Sequence, residues 1–164
     1  MERIEVLKTY KIFIGGQFPR TESGRYYPLK LKNNMTVNVS LSSRKDYRNA
    51  VIAARGAFSG WSARAAFNRG QILYRIAEML EGRKDQFLEE LKQLGYTPAA
   101  AKKEVEQSID RLVYYAGWCD KYQQLFSSVN PVATSHFNFS VPEPMGVVAI
   151  LADESSALLG LVSV

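Results

Sequence analysis

The sequence predicts an α+β protein ending in an incomplete α/β unit: three helical segments with edge β-hairpins, then the first strand and helix of a doubly wound domain. Three observations predict it. Residues 43–126 carry apolar side chains at helical spacing. Residues 10–41 carry short apolar or alternating runs broken by Gly-Gly and Asn-Asn. Residues 147–152 (VVAILA) are apolar throughout, without alternation, the pattern of a strand buried on both faces of a parallel sheet.

The hairpin region reads as follows. Residues 10–14 form a short apolar strand, and Gly15-Gly16 turns it back toward Gln17 and Phe18. Residues 26–31 and 35–41 form the next pair, with Asn33-Asn34 as turn formers that tolerate positive φ. Met35, Val37, Val39 and Leu41 alternate with polar residues, which predicts one buried face. Pro28 lacks an N–H, so its strand belongs at a sheet edge.

Ser43 with Asp46 three residues on predicts the cap of the first helix. Tyr47, Val51, Ala54 and Phe58 form its stripe, and Gly60 ends it. A second helix starts near Asn68, with Ile72, Leu73, Ile76, Ala77 and Leu80 facing inward. Gly82 interrupts it, and Phe87, Leu88, Leu91 and Leu94 carry the apolar face to Gly95. Thr97 then caps a third helix with Pro98 at its first position, where a missing N–H costs nothing. Val105, Ile109, Leu112, Ala116, Cys119 and Phe126 line one side. A run to Phe126 makes this helix ~44 Å long at 1.5 Å per residue. Residues 127–135 read as a polar connection, and residues 136–141 as a half-exposed strand. Pro142, Pro144 and Met145-Gly146 turn the chain into the 147–152 strand. Asp153 caps the helix that follows, whose apolar face is Leu158, Leu159, Leu161 and Val162. That strand needs parallel neighbours, and no later strand is present to supply them.

Length suits one domain, 1–164, divided into edge hairpins (1–42), helical segments (43–126) and a strand with a first βα unit (136–164). The amino terminus mixes charges and has no apolar run, which excludes a signal peptide. Asp153 and Glu154 interrupt the carboxy-terminal apolar run, so no membrane span is expected. A single cysteine excludes an internal disulfide and points to a reducing, cytoplasmic compartment. The net charge of +5 is read as dispersed basic residues interleaved with acids on a solvated surface. No specific nucleic-acid partner is expected from it.

The candidates for chemistry are few. Cys119 is the one possible thiol nucleophile, but it sits mid-helix on an apolar stripe, away from any helix N-terminus that would lower its pKa. A buried structural cysteine is the better reading. His136 is the one histidine, so no metal site is expected. Asp153 and Glu154 are adjacent and do not face each other, so they read as first-turn acids that complement a helix dipole. There is no G-x-G-x-x-G and no P-loop. In open parallel sheets, ligands bind beyond the strand ends and against helix N-termini. That places backbone around Leu151 to Ser156 near any nucleotide.

EPMGVVAIL at 143–151, after YYAGWCDK at 114–121 and KIFIGGQF at 11–18, resembles the amino-terminal part of the NAD(P)-dependent aldehyde dehydrogenase superfamily. The resemblance covers nearly the whole chain, in the family's order. The ending ADESSALLGLVS looks more like the divergent branch with tandem dehydrogenase modules. The resemblance implies a nucleotide-binding domain, NAD or NADP as cofactor of the complete module, and oxidation of an aldehyde through a cysteine thiohemiacetal. Leu151, Ala152, Asp153, Glu154 and Ser155 are the cofactor-facing residues that it implies.

Common family members follow this strand with Ile-Pro-Trp-Asn-Phe-Pro, whose asparagine helps hold the oxyanion. The spacing places Asp153 at the first proline, Glu154 at the tryptophan, Ser155 at the asparagine and Ala157 at the second proline. A serine offers one donor on a shorter arm, so at most a weakened oxyanion contact is expected. The family's nucleophilic cysteine and general-base glutamate fall in segments later than Val164, as do the residues that hold the cofactor ribose. Hence no catalytic residue is assigned here, and the isolated chain is expected to be inactive and to bind no cofactor by itself. Two partners are expected: the remainder of a dehydrogenase module, if the chain is a fragment, and a second copy through residues 136–164. The alternative reading is a stand-alone helical interaction or assembly module derived from that family.

Overall fold

The amino-terminal sheet forms where the alternating runs lie. A computed structural model describes residues 4, 6–32, 34–152 and 154–164, with Glu154 described by its backbone alone. Strands β1 (Thr9–Tyr10), β2 (Tyr26–Lys30) and β3 (Thr36–Ser40) make one sheet in the order β1-β3-β2. β2 and β3 are antiparallel, with Tyr26 opposite Ser40 and Lys30 opposite Thr36. β1 runs parallel to β3. Pro28 does sit on an edge strand, as its missing donor requires. Gly15 and Gly16 take φ of +60° and +80° in a two-residue turn, and Ile14 and Gln17 exchange backbone hydrogen bonds across it. The first strand is nevertheless Thr9–Tyr10, not 10–14. Nor is one face of β3 buried: Met35 and Leu41 are exposed, while Asn38 and Ser40 are as half-buried as Val37 and Val39. Asn34 has φ +65°, and Asn33 lies outside the described residues.

The helices carry the core. α1 (Arg44–Ser62) opens on a full capping box: the Asp46 N–H donates to Ser43 Oγ at 3.3 Å, and the Ser43 N–H donates to the Asp46 carboxylate at 2.8 Å. It runs through Gly60, since one exposed glycine is a cost of about 1 kcal/mol and not a stop. Tyr47 and Ala54 lie outside its covered side, which is Ala50, Val51, Ala53 and Phe58. α2 (Ala66–Glu81) and α3 (Lys84–Gln93) are separated at Gly82. α4 (Pro98–Trp118) has Thr97 as its cap, accepting from the Ala100 N–H at 3.2 Å, and Pro98 in its first turn. It stops near Gly117 rather than running to Phe126. The Cys119 N–H tightens onto the Ala116 carbonyl, and a separate short α5 (Tyr122–Phe126) follows. Phe126 is therefore exposed and not on the α4 stripe.

Beyond α5, β4 (Ser128–Asn130) pairs antiparallel with β5 (Asn138–Ser140). The polar connection expected at 127–135 thus contains a strand, because β5 needs a partner and finds the nearest one. Residues 147–152 are not a strand here. They make no ladder, and Val148 and Leu151 are 59% and 101% exposed. A parallel strand is held by neighbours on its edges, and none of the described residues supplies them. The chain then enters a 3-10 turn, Glu154–Ser156, and α6 (Ala157–Ser163). Asp153, expected as the cap of this helix, lies outside the described residues.

The core is the contact of α2, α3, α4 and α6. Ala77, Leu80 and Leu112 are buried together, with Leu158 and Val162 of α6 packed against them. Leu91, Ala101 and Val105 form the adjoining cluster. Ile76, expected inside, is exposed. Gly70 marks the tightest crossing: a Cβ there would sit 2.9 Å from the Ala116 carbonyl oxygen, so only hydrogen lets α2 lie this close to α4.

Candidate functional site

The entry to α6 is built by two residues brought from one corner of the fold. α3 ends in a Schellman-type turn: the Gly95 N–H donates to the Lys92 carbonyl at 2.8 Å, and the Tyr96 N–H to the Leu91 carbonyl at 3.1 Å. Gly95 takes φ +93°, which suits glycine. The turn delivers Tyr96 to the chain around Ser155. The Tyr96 hydroxyl accepts from the Ala157 N–H and donates to the Ser155 carbonyl, both at 3.2 Å. Thr97 and Pro98 then restart the helix, and two turns later Glu104 lies on the buried side of α4, beside Ala101, Val105, Ser108 and Leu112.

Glu104 is 8% exposed, and its carboxylate has a specific task. One oxygen accepts from the Leu158 N–H at 2.8 Å and from the Leu159 N–H at 3.3 Å. Ser156, just ahead of α6, makes no side-chain cap. Glu104 therefore satisfies from another helix the first-turn donors that the local sequence leaves open. A negative charge at this end also complements the helix dipole. Arg111 adds a second tie between the helices, donating to Ser163 Oγ at 3.4 Å.

This arrangement bears on the expected nucleotide-facing residues. Leu151, Ala152 and Ser155 are exposed along the approach to α6. Asp153 and the side chain of Glu154 lie outside the described residues. The α6 N-terminus itself does not fit a dinucleotide phosphate. Its N–H groups at 157, 158 and 159 are already engaged by Tyr96 and Glu104, and the Glu104 carboxylate would oppose a second anion.

Cys119 stands elsewhere, lining a cleft of about 650 Å³ between α2 and α4 with Phe67, Gly70 and Tyr74. Its thiol donates to the Tyr115 carbonyl at 3.4 Å, and burial pushes its pKa up. A thiol held protonated is a poor nucleophile. His136 is exposed near Thr134, with 3.1 Å between Nδ1 and Oγ1. Among the described residues, no cluster of three or more His, Cys, Asp and Glu could hold a metal ion.

The motifs at 11–18, 114–121 and 143–151 fall on the Gly15-Gly16 turn, on the end of α4 with the bend after it, and on the run toward α6. A family model described as the aldehyde dehydrogenase family matches residues 21–152. The chain belongs to the aldehyde dehydrogenase family.

Among its relatives, the human mitochondrial 10-formyltetrahydrofolate dehydrogenase is 32% identical over 158 residues. That alignment takes in 92% of this chain but only 17% of the relative. The putative aldehyde dehydrogenase DhaS of Bacillus subtilis is 29% identical, across 85% of this chain and 29% of its own length. A putative aldehyde dehydrogenase from Burkholderia cenocepacia superposes with a TM-score of 0.72 at 27% identity, over 79% of this chain and 27% of that one. The NAD-dependent benzaldehyde dehydrogenase from Corynebacterium glutamicum gives a TM-score of 0.69 at 26% identity, over 77% and 28%. The chain thus spans less than a third of each relative and structure named here. Its mixed α/β structure corresponds to part of that fold.

Tyr96 and Glu104 are the site residues that the motifs did not single out. A signal was present for Glu104: an acid three residues after Ala101, on the stripe that continues through Val105, Ser108 and Leu112, has to meet a donor inside. No comparable signal marks Tyr96.

Proposed function

We propose that this chain is the amino-terminal segment of an NAD(P)-dependent aldehyde dehydrogenase module, in which residues 147–152 become the first strand of the nucleotide-binding sheet. The match over residues 21–152, set against coverage of 17% of the first relative, carries this reading. The complete module would oxidise an aldehyde to an acid, with a cysteine as nucleophile and NAD or NADP as hydride acceptor. In it, the exposed backbone of Leu151 and Ala152 and the neighbouring Ser155 face the nucleotide side. Tyr96 and Glu104 hold that approach in place. Ser155, at the position of the family's oxyanion asparagine, retains one donor.

The isolated chain is catalytically inactive on this reading, because the nucleophile and general base belong to later segments of the family's pattern. The test is NAD(P)H formation at 340 nm from the purified, folded 164-residue chain with aliphatic and aromatic aldehydes. No signal above a protein-free blank is expected. Turnover that Ser155→Ala abolished would overturn it. Sequencing the reading frame downstream of Val164 separates a module fragment from a stand-alone assembly unit.

A further inference from the structure

The positive charge of this chain is concentrated, not dispersed as the sequence reading had it. Residues 1–45 hold nine Lys and Arg against three Asp and Glu, whereas residues 46–164 hold twelve against thirteen. The whole excess therefore lies in the first 45 residues of the sequence. There a cavity of about 380 Å³ opens between the end of β1 and the turn before β2. Lys11, Arg20 and Arg25 line it together with Thr9, Thr21 and Ser40, and none of its described lining residues is acidic. Among the described residues, the two acids beside Thr21 and the α1 start are committed elsewhere. Glu22 pairs with Lys45 at 3.0 Å, and Asp46 accepts from the Glu22 N–H at 3.0 Å while closing the α1 capping box. Thr21 is 5% exposed, which gives the cavity a fixed polar wall, and the Gly24 N–H donates to the Thr21 carbonyl at 3.1 Å to hold the turn.

We propose that this cavity is a binding site for a small phosphorylated anion carrying two or more negative charges. Its volume lies in the range of small-ligand sites, roughly 300–1,000 Å³. Two guanidinium groups offer the paired, planar donors that match phosphate oxygens, and the lysine adds a point charge. Uncompensated like charges around one concavity raise the local concentration of anions. The site lies on the amino-terminal sheet, apart from the α6 approach, and does not rest on the dehydrogenase reading.

The test is calorimetric titration of the full chain with inorganic pyrophosphate at low ionic strength, beside orthophosphate and sulfate. Saturable binding of one pyrophosphate is expected, tighter than either single-centred anion and weakened by added salt. Arg20→Ala and Arg25→Ala should each weaken it at least tenfold. Arg25→Lys should lose less, and Arg75→Ala, on the far helix α2, should change nothing. Circular dichroism checks folding. If one arginine variant unfolds, Lys11→Ala carries the same expectation, because its side chain is exposed. The proposal falls if binding is not saturable, or if Arg25→Ala and Arg75→Ala bind alike. It also falls if single-stranded oligonucleotides bind more tightly with each added nucleotide, which would mark an extended basic surface instead of a pocket.

Discussion

Gly95 shows how much one residue can decide. Its φ of +93° is strained for any side chain, and a Cβ there would lie 2.6 Å from the Lys32 Cβ. That contact joins the amino-terminal sheet to the helical core, so neither side can yield freely. Gly95→Ala is expected to lower stability by about 1–3 kcal/mol, read as a lower urea midpoint with an unchanged slope. Asp46 gives a second residue-scale expectation. The Ser43 N–H, with further bonds from the Glu22 N–H and the Ser43 hydroxyl, holds its carboxyl below the usual range against the opposing effect of burial. A depressed folded pKa means that Asp46 stabilises the fold fully above the ordinary carboxylate value of about 3.9. The contribution disappears as pH falls through the lower folded value. In Asp46→Asn, therefore, the loss of stability relative to wild type should be largest at neutral pH and shrink as the pH approaches 3, followed by thermal melts.

At the scale of elements, α6 depends on α4. Leu158 and Val162 lie against the Ala77–Leu80–Leu112 cluster, and Glu104 supplies the cap that Ser156 does not. These two attachments are separable. Glu104→Leu keeps the apolar volume but leaves the Leu158 and Leu159 N–H groups without their acceptor, a cost of about 1–3 kcal/mol. Glu104→Gln keeps one acceptor oxygen and loses the charge, so it should fall between. Amide exchange at 158 and 159 should quicken in both variants, most in Glu104→Leu, while exchange in α2 stays near wild type. Unchanged exchange at 158 and 159 in Glu104→Leu would show that packing alone holds α6. The apolar face of α6 is Leu158, Leu159, Leu161 and Val162. Leu158 and Val162 are covered by the chain's own helices, and only Leu161 of that apolar set is exposed.

For the whole molecule, unfinished burial remains on the β4–β5 hairpin and on residues 145–151. Phe137 and Phe139 stack with ring centroids 5.5 Å apart yet are 73% and 58% exposed. Met145, Val148 and Leu151 are exposed beyond them. We propose self-association through this region, with residues 128–151 replacing the wider 136–164 surface, since most of α6 is already packed. An apolar patch and an open strand edge both favour pairing. Sedimentation at micromolar concentration is expected to show a dimer or larger species that Phe137→Asp with Phe139→Asp returns to monomer. A wild-type monomer across that range would remove the proposal. No helix among the described residues is long and apolar enough to cross a membrane.

What the sequence determined by itself was local or motif-borne. The Ser43–Asp46 box, the Thr97-Pro98 start, the Gly15-Gly16 turn and the edge position of Pro28 follow from chemistry within a few residues, and each is present. Family membership was legible for a similar reason, because three short motifs keep their order along the chain. The tertiary structure decided whatever depended on distant partners. Residues 147–152 have the composition of a buried strand, but a strand is a relation between neighbours, and here there are none to pair with. The α4 stripe promised a helix to Phe126, yet the chain turned near Gly117 into a separate short helix. Tyr96 and Glu104 became the holders of the Ser155 approach only when the Gly95 turn and the α4 packing brought them across roughly fifty to sixty residues of sequence. A hydrogen bond across that separation leaves no period or spacing in the sequence to read.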